Sequence, residues 1–333
     1  MTRLILVVGA PRSGTTWVQS LLGGQPGVVT PQETDLFSRY VRPLHEAWQW
    51  QLRGGPDDWS RRRFKGLPGV LTAGEFTAMV RSMVDDVLVA VAATADVEGA
   101  RAAEVVVVEK SPSHSLCADV VAASVPEARV IHVVRDGRDV AASLNAAAAG
   151  WGSGWAPATV DAAARSWVEH VRGARRYPEL GMAYREVRYE TLEASDVGAL
   201  RDLLAFCGFG VGDAECVRRY ETSRFDAMAA GRDDPVTIAG EFAPYAADRA
   251  EPDGFFRRGG SGGWRDDWSA TDRLAFDAVG GDLLDELGYE NGRSWAADER
   301  QARVFRATTA ARRVVGGAAR RIGRLGEQIA RRP

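Results

Sequence analysis

The chain has 333 residues, of which 45% are hydrophobic, and a formal net charge of −3; this length and composition allow a full α/β core and exclude a disordered protein. Its three cysteines, Cys117, Cys207 and Cys216, are too few for a disulfide framework, and no Cys/His group has metal-site spacing. The sequence has neither a signal-peptide pattern nor an apolar run of the roughly 18 residues that a membrane span needs. We therefore expect a soluble, cytoplasmic protein in a reducing compartment.

The first predicted unit is a strand, a glycine turn and a helix. A run of apolar, mostly β-branched residues leads into Gly9, the turn continues to Gly14, and a helix follows over 17–22. Unpaired N–H groups in such a turn bind phosphate or sulfate. The glycine spacing is that of a Walker A loop, but Thr15 stands where nucleoside triphosphatases carry Lys, and a cation comes earlier as Arg12. The turn predicts an anion-binding loop; a tight βα turn with a surface arginine is the alternative.

Two carboxylates follow the first helix. Glu33 and Asp35 lie in a loop with a short extended piece, which we expect to return to the edge of the sheet where ligands bind in open α/β folds. A carboxylate beside an anion-binding loop is either a general base or a surface charge. The position of Glu33 makes it a candidate base.

A helical insertion is predicted over 41–103, because this stretch has no strand pattern and shows a helical period from Ala73 to Ala93. We expect it to cap the active-site face. Its tryptophans, Trp48, Trp50 and Trp59, either line an acceptor pocket or form a small core of their own.

Two further strands end in polar residues. A buried parallel strand precedes Lys110 and His114; Lys110 is placed to neutralise charge on a transferring group, and His114 is either a base or a structural loop histidine. A second strand, over 129–134, ends at Arg135, and Ser143 follows in the next helix. These two converge on one anion, unless the arginine belongs to an Arg/Asp salt-bridge cluster at the helix start.

The later chain adds an arginine- and glycine-rich loop around Arg257, Arg258 and Trp264. Such a loop can wrap an anion with its backbone while its cations neutralise it, and a linker is the alternative. Around it, the patterns predict helices over 158–177, 196–207 and 271–287 and a strand over 183–190. The fold class that these elements predict is a three-layer, P-loop-like α/β fold, in which helices flank a central parallel β-sheet and a helical cap is inserted.

Three of these segments, in this order, resemble the sulfotransferases that use 3′-phosphoadenosine 5′-phosphosulfate (PAPS). Residues 11–17, Pro-Arg-Ser-Gly-Thr-Thr-Trp, look like that family's 5′-phosphosulfate loop, usually written with Lys where Arg12 stands. Arg135 and Ser143 match its 3′-phosphate motif, and residues 257–265 resemble its C-terminal motif, with Gly263 in place of Asp. Together the segments cover the chain from about residue 4 to 290.

The resemblance implies transfer of a sulfuryl group from PAPS to a hydroxyl of a small molecule, a glycoside or a lipid-linked acceptor. The product would be adenosine 3′,5′-bisphosphate (PAP), and no metal is expected, because PAPS lacks the β/γ-phosphate pair that Mg²⁺ and a Walker lysine hold. The residues that the resemblance places on the donor are Arg12, Ser13, Gly14, Thr15, Thr16, Trp17, Arg135, Ser143, Tyr189, Ser223, Phe225, Arg257, Arg258 and Gly259.

The family offers two precedents for the base. Its cytosolic aryl and steroid enzymes have a His two residues after a strand-end Lys, where this chain has Pro112 and its histidine is displaced to His114. The carbohydrate and tyrosyl-protein branches use a Glu after the first helix with a Phe downstream, and Glu33-Thr-Asp-Leu-Phe37 is similar. We therefore expect Glu33 as the base and His114 as the second candidate, with Arg12 and Lys110 stabilising the departing group.

Two other functions stay open. One is a P-loop nucleotide kinase, although Thr15 and the lack of an evident Walker B carboxylate argue against it. The other is a non-catalytic nucleotide-binding protein.

Residues 1–295 are predicted to form the sulfotransferase domain. The tail, 296–333, has ten Arg against three acidic residues, so its charge is +7 and that of the rest is −10. It contacts an anionic membrane or another chain, or is a solvated helix, which is the default. Nucleic acid is not an expected partner, and no motif specifies the acceptor.

Overall fold

The sheet at the centre of the protein has six strands in the order β5-β4-β1-β3-β2-β6, and every neighbouring pair is parallel. A computed structural model describes residues 3–24, 27–53, 66–94, 105–223, 236–237, 255 and 259–296. The strands are β1 (Arg3–Gly9), β2 (Val28–Pro31), β3 (Val106–Lys110), β4 (Arg129–Val134), β5 (Ala183–Arg188) and β6 (Val236–Thr237).

Helices connect and cover the strands. They are α1 (Thr15–Leu22), α2 (Arg42–Arg53), α3 (Ala73–Ala93), α4 (Ala118–Ser124), α5 (Gly137–Ala148), α6 (Val160–Ala174), α7 (Arg176–Glu179), α8 (Tyr189–Glu193), α9 (Val197–Cys207), α10 (Asp213–Thr222), α11 (Trp264–Asp267) and α12 (Ala270–Glu286). A π-helical turn spans Leu36–Val41, and 3₁₀ turns span Leu67–Gly69 and Pro112–Leu116. The predicted fold class, helices on both faces of a parallel sheet, is confirmed.

Strand β1 shows how the sheet separates two cores. Leu4, Leu6 and Val8 belong to one apolar cluster, which also contains residues of α3 and α4, whereas Ile5 and Val7 belong to a second cluster with residues of α1 and α9. Successive side chains of a strand point to opposite faces, so a continuous apolar run marks a strand covered on both sides. The loops that follow the strands are therefore all held at one edge of a rigid layer.

Two elements differ from the sequence prediction. The extended piece predicted within a loop is strand β2, which pairs with β3 from Val28 opposite Val106. The single helix predicted over 158–177 is two helices, α6 and α7. Helix α6 ends at Ala174 because Pro178, four residues on, has no N–H to donate to the carbonyl of Ala174.

The predicted cap lies partly within the described residues, as α2 and α3. Trp48 is buried and stacks on Phe76 at a ring-centroid distance of 4.3 Å, and both belong to the core on one face of the sheet. Trp50 is exposed, and Trp59 lies outside the described residues. Within the described ranges, no helix has the length and apolar character that crossing a membrane requires. The basic tail beyond Ala296 also lies outside the description.

Candidate functional site

A cleft of about 1110 Å³ opens where the strands end. Its lining includes residues that follow β1, β2, β3, β4 and β5, as expected for an open α/β sheet. Of the residues predicted for the site, those that line it are Arg12, Gly14, Thr15, Thr16, Trp17, Glu33, Lys110, Arg135, Ser143, Tyr189 and Gly259. Ser13, His114 and Ser223 are described but do not line it. Phe225, Arg257 and Arg258 lie outside the described residues.

The turn after β1 has a backbone that few side chains tolerate. Arg12 has a φ of 73° and Gly14 a φ of 93°. A Cβ on Gly14 would lie 2.4 Å from the ring of Tyr189, so only glycine fits this close approach. No described side chain caps the start of α1, which leaves first-turn N–H groups available to an anion. The hydroxyl of Ser13 is buried there without a hydrogen-bond partner among the described residues.

Arg12 joins the turn after β1 to helix α5, the first two segments predicted to bind anions. Its Nε donates to Ser143 Oγ at 3.1 Å, and its guanidinium also donates to the carbonyl oxygen of Phe255. The same guanidinium lies 4.7 Å from the ring centroid of Phe255 and 5.5 Å from that of Trp151. Arginine, hydroxyl and aromatic rings from four parts of the chain therefore meet beside the turn.

Arg135 also contacts this turn, because its Nη1 lies 3.4 Å from the carbonyl oxygen of Arg12. It donates to the carbonyl oxygen of Gly260 at 2.9 Å, and its Cζ is 4.1 Å from the ring centroid of Tyr189. Its Nε is buried with no hydrogen-bond partner among the residues described. An arginine with an unused buried donor at a cleft can take an anionic ligand.

The sequence left open that Arg135 belongs to an Arg/Asp salt-bridge cluster at the start of the helix. In the structure, the arginine in such a cluster is its neighbour Arg138. This side chain is 2% exposed. Its Nε donates to Asp136 Oδ1 at 2.9 Å, a terminal nitrogen donates to Glu290 Oε1 at 2.6 Å, and the guanidinium stacks 4.3 Å from the ring of Trp264. Arg138 therefore supports the start of α5, whereas Arg135 faces the cleft.

Aromatic rings line the end of the cleft near α10. Trp17 meets Tyr189 edge to face at 5.3 Å, and Tyr220 lies 6.4 Å from it. The indole Nε1 of Trp17 donates to the backbone carbonyl of Ser223 at 2.7 Å, so Ser223 positions the tryptophan through its backbone. The hydroxyl of Tyr189 donates to the carbonyl oxygen of Gly259. Such a set of rings offers flat apolar faces to a planar ligand.

Glu33 and Lys110 form an ion pair in the cleft. The lysine side chain is 7% exposed and the glutamate side chain is 46% exposed, so the carboxylate is the member of the pair that solvent or a bound hydroxyl can reach. The pair joins the loop after β2 to the end of β3. Glu33, the candidate base, and Lys110, a cation, are thus in contact at the edge of the cleft.

His114 is completely buried. Its Nε2 accepts a hydrogen bond from the backbone N–H of Phe37 at 3.1 Å, and its Nδ1 lies 3.0 Å from Oε2 of Glu109. Burial disfavours the charged form of Glu109, but the neighbouring imidazole and hydrogen bonds from Ser111 and Thr34 outweigh this, and the pKa of the carboxyl lies below its ordinary value. The imidazole faces the protein interior, away from the residues that line the cleft.

Another histidine, His170 on α6, reaches the cleft lining without having been predicted. Its Nδ1 lies 2.6 Å from Ser115 Oγ and 3.2 Å from the carbonyl oxygen of Pro112. Burial lowers the pKa of His170 to about 4, so the ring is neutral near pH 7. It stabilises the turn after β3 and has no sequence signal beyond its place on a helix.

Two carboxylates that the sequence analysis missed hold the glycine-rich loop. Asp139 accepts from the backbone N–H groups of Gly262 at 2.7 Å and Trp264 at 3.2 Å, and Glu193 accepts from the N–H of Ser261 at 3.1 Å. Burial raises the pKa of Asp139, and the nearby negative charge of Asp136 adds to the increase. The only signal for Asp139 was its place in the first turn of α5.

An aromatic wall lines the cleft beside Arg12. Trp151 lies 5.4 Å from Trp155 and 5.2 Å from Phe255 between ring centroids, and all three line the cleft. Across the described parts of α2 and α3, no residue lines it. Among the described residues there is also no group of three or more His, Cys, Asp or Glu placed to hold a metal ion.

Comparison with known proteins identifies relatives of this architecture. The sequence model of the sulfotransferase family matches residues 5–213, and no curated protein sequence matches the chain. The structure of mouse sulfotransferase SULT7A1 complexed with PAP has a TM-score of 0.50 and 14% identity, and the alignment covers 92% of this chain and 89% of that one. At this identity the likeness shows the shared fold alone.

Two further structures are similar at lower scores. The sulfotransferase domain of the Synechococcus PCC 7002 olefin synthase has a TM-score of 0.48 and 19% identity, covering 85% of this chain and 95% of that chain. Retinol dehydratase in a complex with retinol and PAP has a TM-score of 0.43 and 18% identity, covering 85% and 82%.

Proposed function

The chain belongs to the sulfotransferase family, and we propose that it transfers a sulfuryl group from PAPS to a hydroxyl group of a small molecule, a glycoside or a lipid-linked acceptor. The observation that carries the proposal is the 3.1 Å hydrogen bond from Arg12 Nε to Ser143 Oγ, which joins two anion-binding segments 131 residues apart. With Arg135 beside them, the two segments suit a ligand that has two separate anionic groups. PAP, which occupies the mouse structure, is such a ligand.

The residues of the cleft fit each part of this donor. Arg12 and the first-turn N–H groups of α1 would hold the 5′-phosphosulfate, and Ser13, whose side chain does not line the cleft, stays a prediction. Arg135, whose buried Nε has no described partner, and Ser143 would hold the 3′-phosphate. The adenine would lie against the rings beside Trp17. Phe225, Arg257 and Arg258 stay predictions for the same donor, and no Mg²⁺ is proposed.

Glu33 acts as the general base in this proposal. PAPS would supply the sulfuryl group, which is bonded to an oxygen of its 5′-phosphate. PAP, which keeps that oxygen, is the leaving group. Glu33 accepts the proton of the acceptor hydroxyl while the hydroxyl oxygen bonds to sulfur in line with the sulfur–oxygen bond that breaks. Negative charge then grows on the phosphate oxygen, and Arg12, Lys110 and the N–H groups of the turn stabilise it.

Calorimetric titration with PAP, with and without Mg²⁺, tests the donor. We expect PAP to bind equally well in EDTA and in Mg²⁺, and more tightly than ATP under either condition, because the chain has Thr15 where a triphosphate site has lysine. Tight binding of ATP that requires Mg²⁺, with weak binding of PAP, would replace the proposal with the kinase alternative.

Glu33→Gln tests the base, with Glu169→Gln as the matched control, since Glu169 is an exposed glutamate on α6. General base catalysis contributes about 10²- to 10⁴-fold, so we expect the Glu33 variant to lose that much in kcat and to keep its affinity for PAP. The control should match the wild type. Turnover by Glu33→Gln at the wild-type rate would remove this residue from the mechanism.

A further inference from the structure

The loop that carries Glu33 is tied to buried side chains instead of to solvent. We call residues 33–37 the base loop. Its N–H groups donate in turn to three side chains that follow one another at the end of β3: the N–H of Thr34 to Glu109 Oε1 at 3.1 Å, that of Asp35 to Ser111 Oγ at 3.0 Å, and that of Phe37 to His114 Nε2 at 3.1 Å. Thr34 also donates its hydroxyl to Glu109 Oε1 at 2.8 Å. A surface loop would ordinarily bond to water.

The acceptors of these bonds are among the most buried polar groups of the described chain. Glu109 is 2% exposed, and Ser111 and His114 are completely buried. A buried carboxylate is costly unless it is hydrogen bonded. Three donors converge on Glu109 Oε1, two from Thr34 and one from Ser111. Such a cluster fixes the backbone of the base loop more rigidly than water would.

One strand end holds the base loop from two sides. Glu109 and Lys110 are adjacent in β3, and successive side chains of a strand point in opposite directions. Lys110 pairs with the carboxylate of Glu33 in the cleft, while Glu109 accepts the backbone N–H of the next residue, Thr34, in the interior. The position of the proposed base therefore depends on both neighbours.

The hydrogen-bond pattern also fixes the state of His114. Because the N–H of Phe37 donates to Nε2, that nitrogen has no proton, and the ring proton of the neutral imidazole is on Nδ1. Nδ1 lies 3.0 Å from Oε2 of Glu109 and makes no hydrogen bond to a described residue. Nε2 is thus occupied by the N–H of Phe37, Nδ1 lies beside a buried carboxylate, and His114 does not line the cleft in which an acceptor hydroxyl would bind.

We propose that Glu109 is a positioning residue for the base loop and that His114 acts with it as a fixed hydrogen-bond acceptor, so that together they hold Glu33 against the reacting hydroxyl. The inference rests on the proposed function in one respect, the role of Glu33. It assigns to His114 a positioning role in place of the catalytic role that its place after Lys110 predicted.

Glu109→Gln is the first variant to test. A Gln amide that keeps its oxygen toward Thr34 must turn its NH₂ toward the Nδ1 proton of His114, and a tautomer shift would then set Nε2–H against the N–H of Phe37. If the amide is turned over instead, its NH₂ faces the N–H of Thr34, so every arrangement leaves two donors facing each other in the cluster. A misplacement of about 1 Å can cost about 100-fold in rate, and we expect a loss of that size in kcat with the affinity for PAP unchanged.

A matched pair at His114 separates positioning from base catalysis. His114→Gln can keep an acceptor near the position of Nε2, whereas His114→Phe keeps a ring against Phe37, which His114 meets edge to face at 5.1 Å, and loses the acceptor. We expect the Gln variant to keep most of the wild-type kcat and the Phe variant to fall with Glu109→Gln. Equal, complete loss in both His114 variants would overturn the proposal in favour of His114 as the base.

Hydrogen exchange of the 33–37 amides gives a readout that does not depend on turnover. We expect faster exchange in Glu109→Gln and His114→Phe, and near wild-type protection in His114→Gln and in Glu33→Gln. Unchanged exchange in both disrupted variants would refute the positioning role. If Glu33→Gln is fully active while these exchange rates change as expected, the base assignment fails and the structural link between β3 and the base loop stands.

Discussion

Replacing Arg135 with Ala gives a prediction specific to the 3′-phosphate. The guanidinium donates to the carbonyl of Gly260, stacks on Tyr189 and has a buried Nε without a described partner. A hydrogen bond to a charged group is worth about 1.5–3 kcal/mol. Because each 1.4 kcal/mol is tenfold in Kd, Arg135→Ala should weaken PAP roughly 10- to 150-fold more than it weakens adenosine 5′-phosphate, which lacks the 3′-phosphate.

Calorimetry with both nucleotides on the wild type, Arg135→Ala and Arg165→Ala measures this difference. Contacts of Arg135 to Gly260 and Tyr189 affect both ligands, so their loss cancels in the comparison. Arg165 is half exposed in a surface ion pair with Asp161 and should leave both affinities unchanged. Equal losses for the two nucleotides in Arg135→Ala would refute the assignment of the 3′-phosphate to this residue.

Three further predictions concern stability. Gly14→Ala should cost about 1–3 kcal/mol in chemical denaturation, because its Cβ would meet an aromatic ring. Gly24→Ala should cost less, since apart from its chain neighbours no described residue has an atom within 4 Å of that Cβ; equal costs would contradict the close approach. Arg138→Ala should cost about 3–5 kcal/mol by leaving two carboxylates without their buried cation, whereas Arg165→Ala should lie near zero; similar denaturation midpoints would refute this. His170 has a pKa of about 4 against an ordinary 6.5, so the unfolded chain binds more protons between these values and the free energy of unfolding falls as pH decreases, by about 3 kcal/mol in total. His170→Gln should flatten that slope, and an unchanged slope would contradict the buried neutral state.

The sequence predicted the fold well where local pattern is strong. The apolar run into Gly9 and the period from Ala73 to Ala93 each correspond to an element with nearly the predicted bounds. Strand β2 was missed as a strand because it has four residues and ends in Pro31; its pairing comes from β3, more than seventy residues away. Pairing between distant segments is not encoded in the local pattern.

The candidate site was predictable as a set of residues and much less as a network. The spacing of the motifs identified Arg12, Arg135 and Ser143 as candidate anion ligands. All three line one cleft, although their roles toward a donor stay predictions. The hydrogen bonds from the base loop to Glu109 had no sequence signal, because they depend on how β2 and β3 align. His114 was the second candidate for the base although it lies two residues beyond the family's position after Lys110, and its complete burial, which the sequence did not indicate, is what favours the positioning role proposed for it.

Transfer of labelled sulfuryl from PAPS tests the proposed activity most directly. The full chain, in EDTA, would be incubated with labelled PAPS and a panel of phenols, sterols, glycosides and glycolipids, with Glu33→Gln as the inactive comparison. We predict labelled product with at least one hydroxyl acceptor, formation of PAP in equal amount, and a large loss with the variant. Tight binding of PAP without transfer to any acceptor of the panel would contradict the proposed activity and favour a nucleotide-binding protein without catalysis.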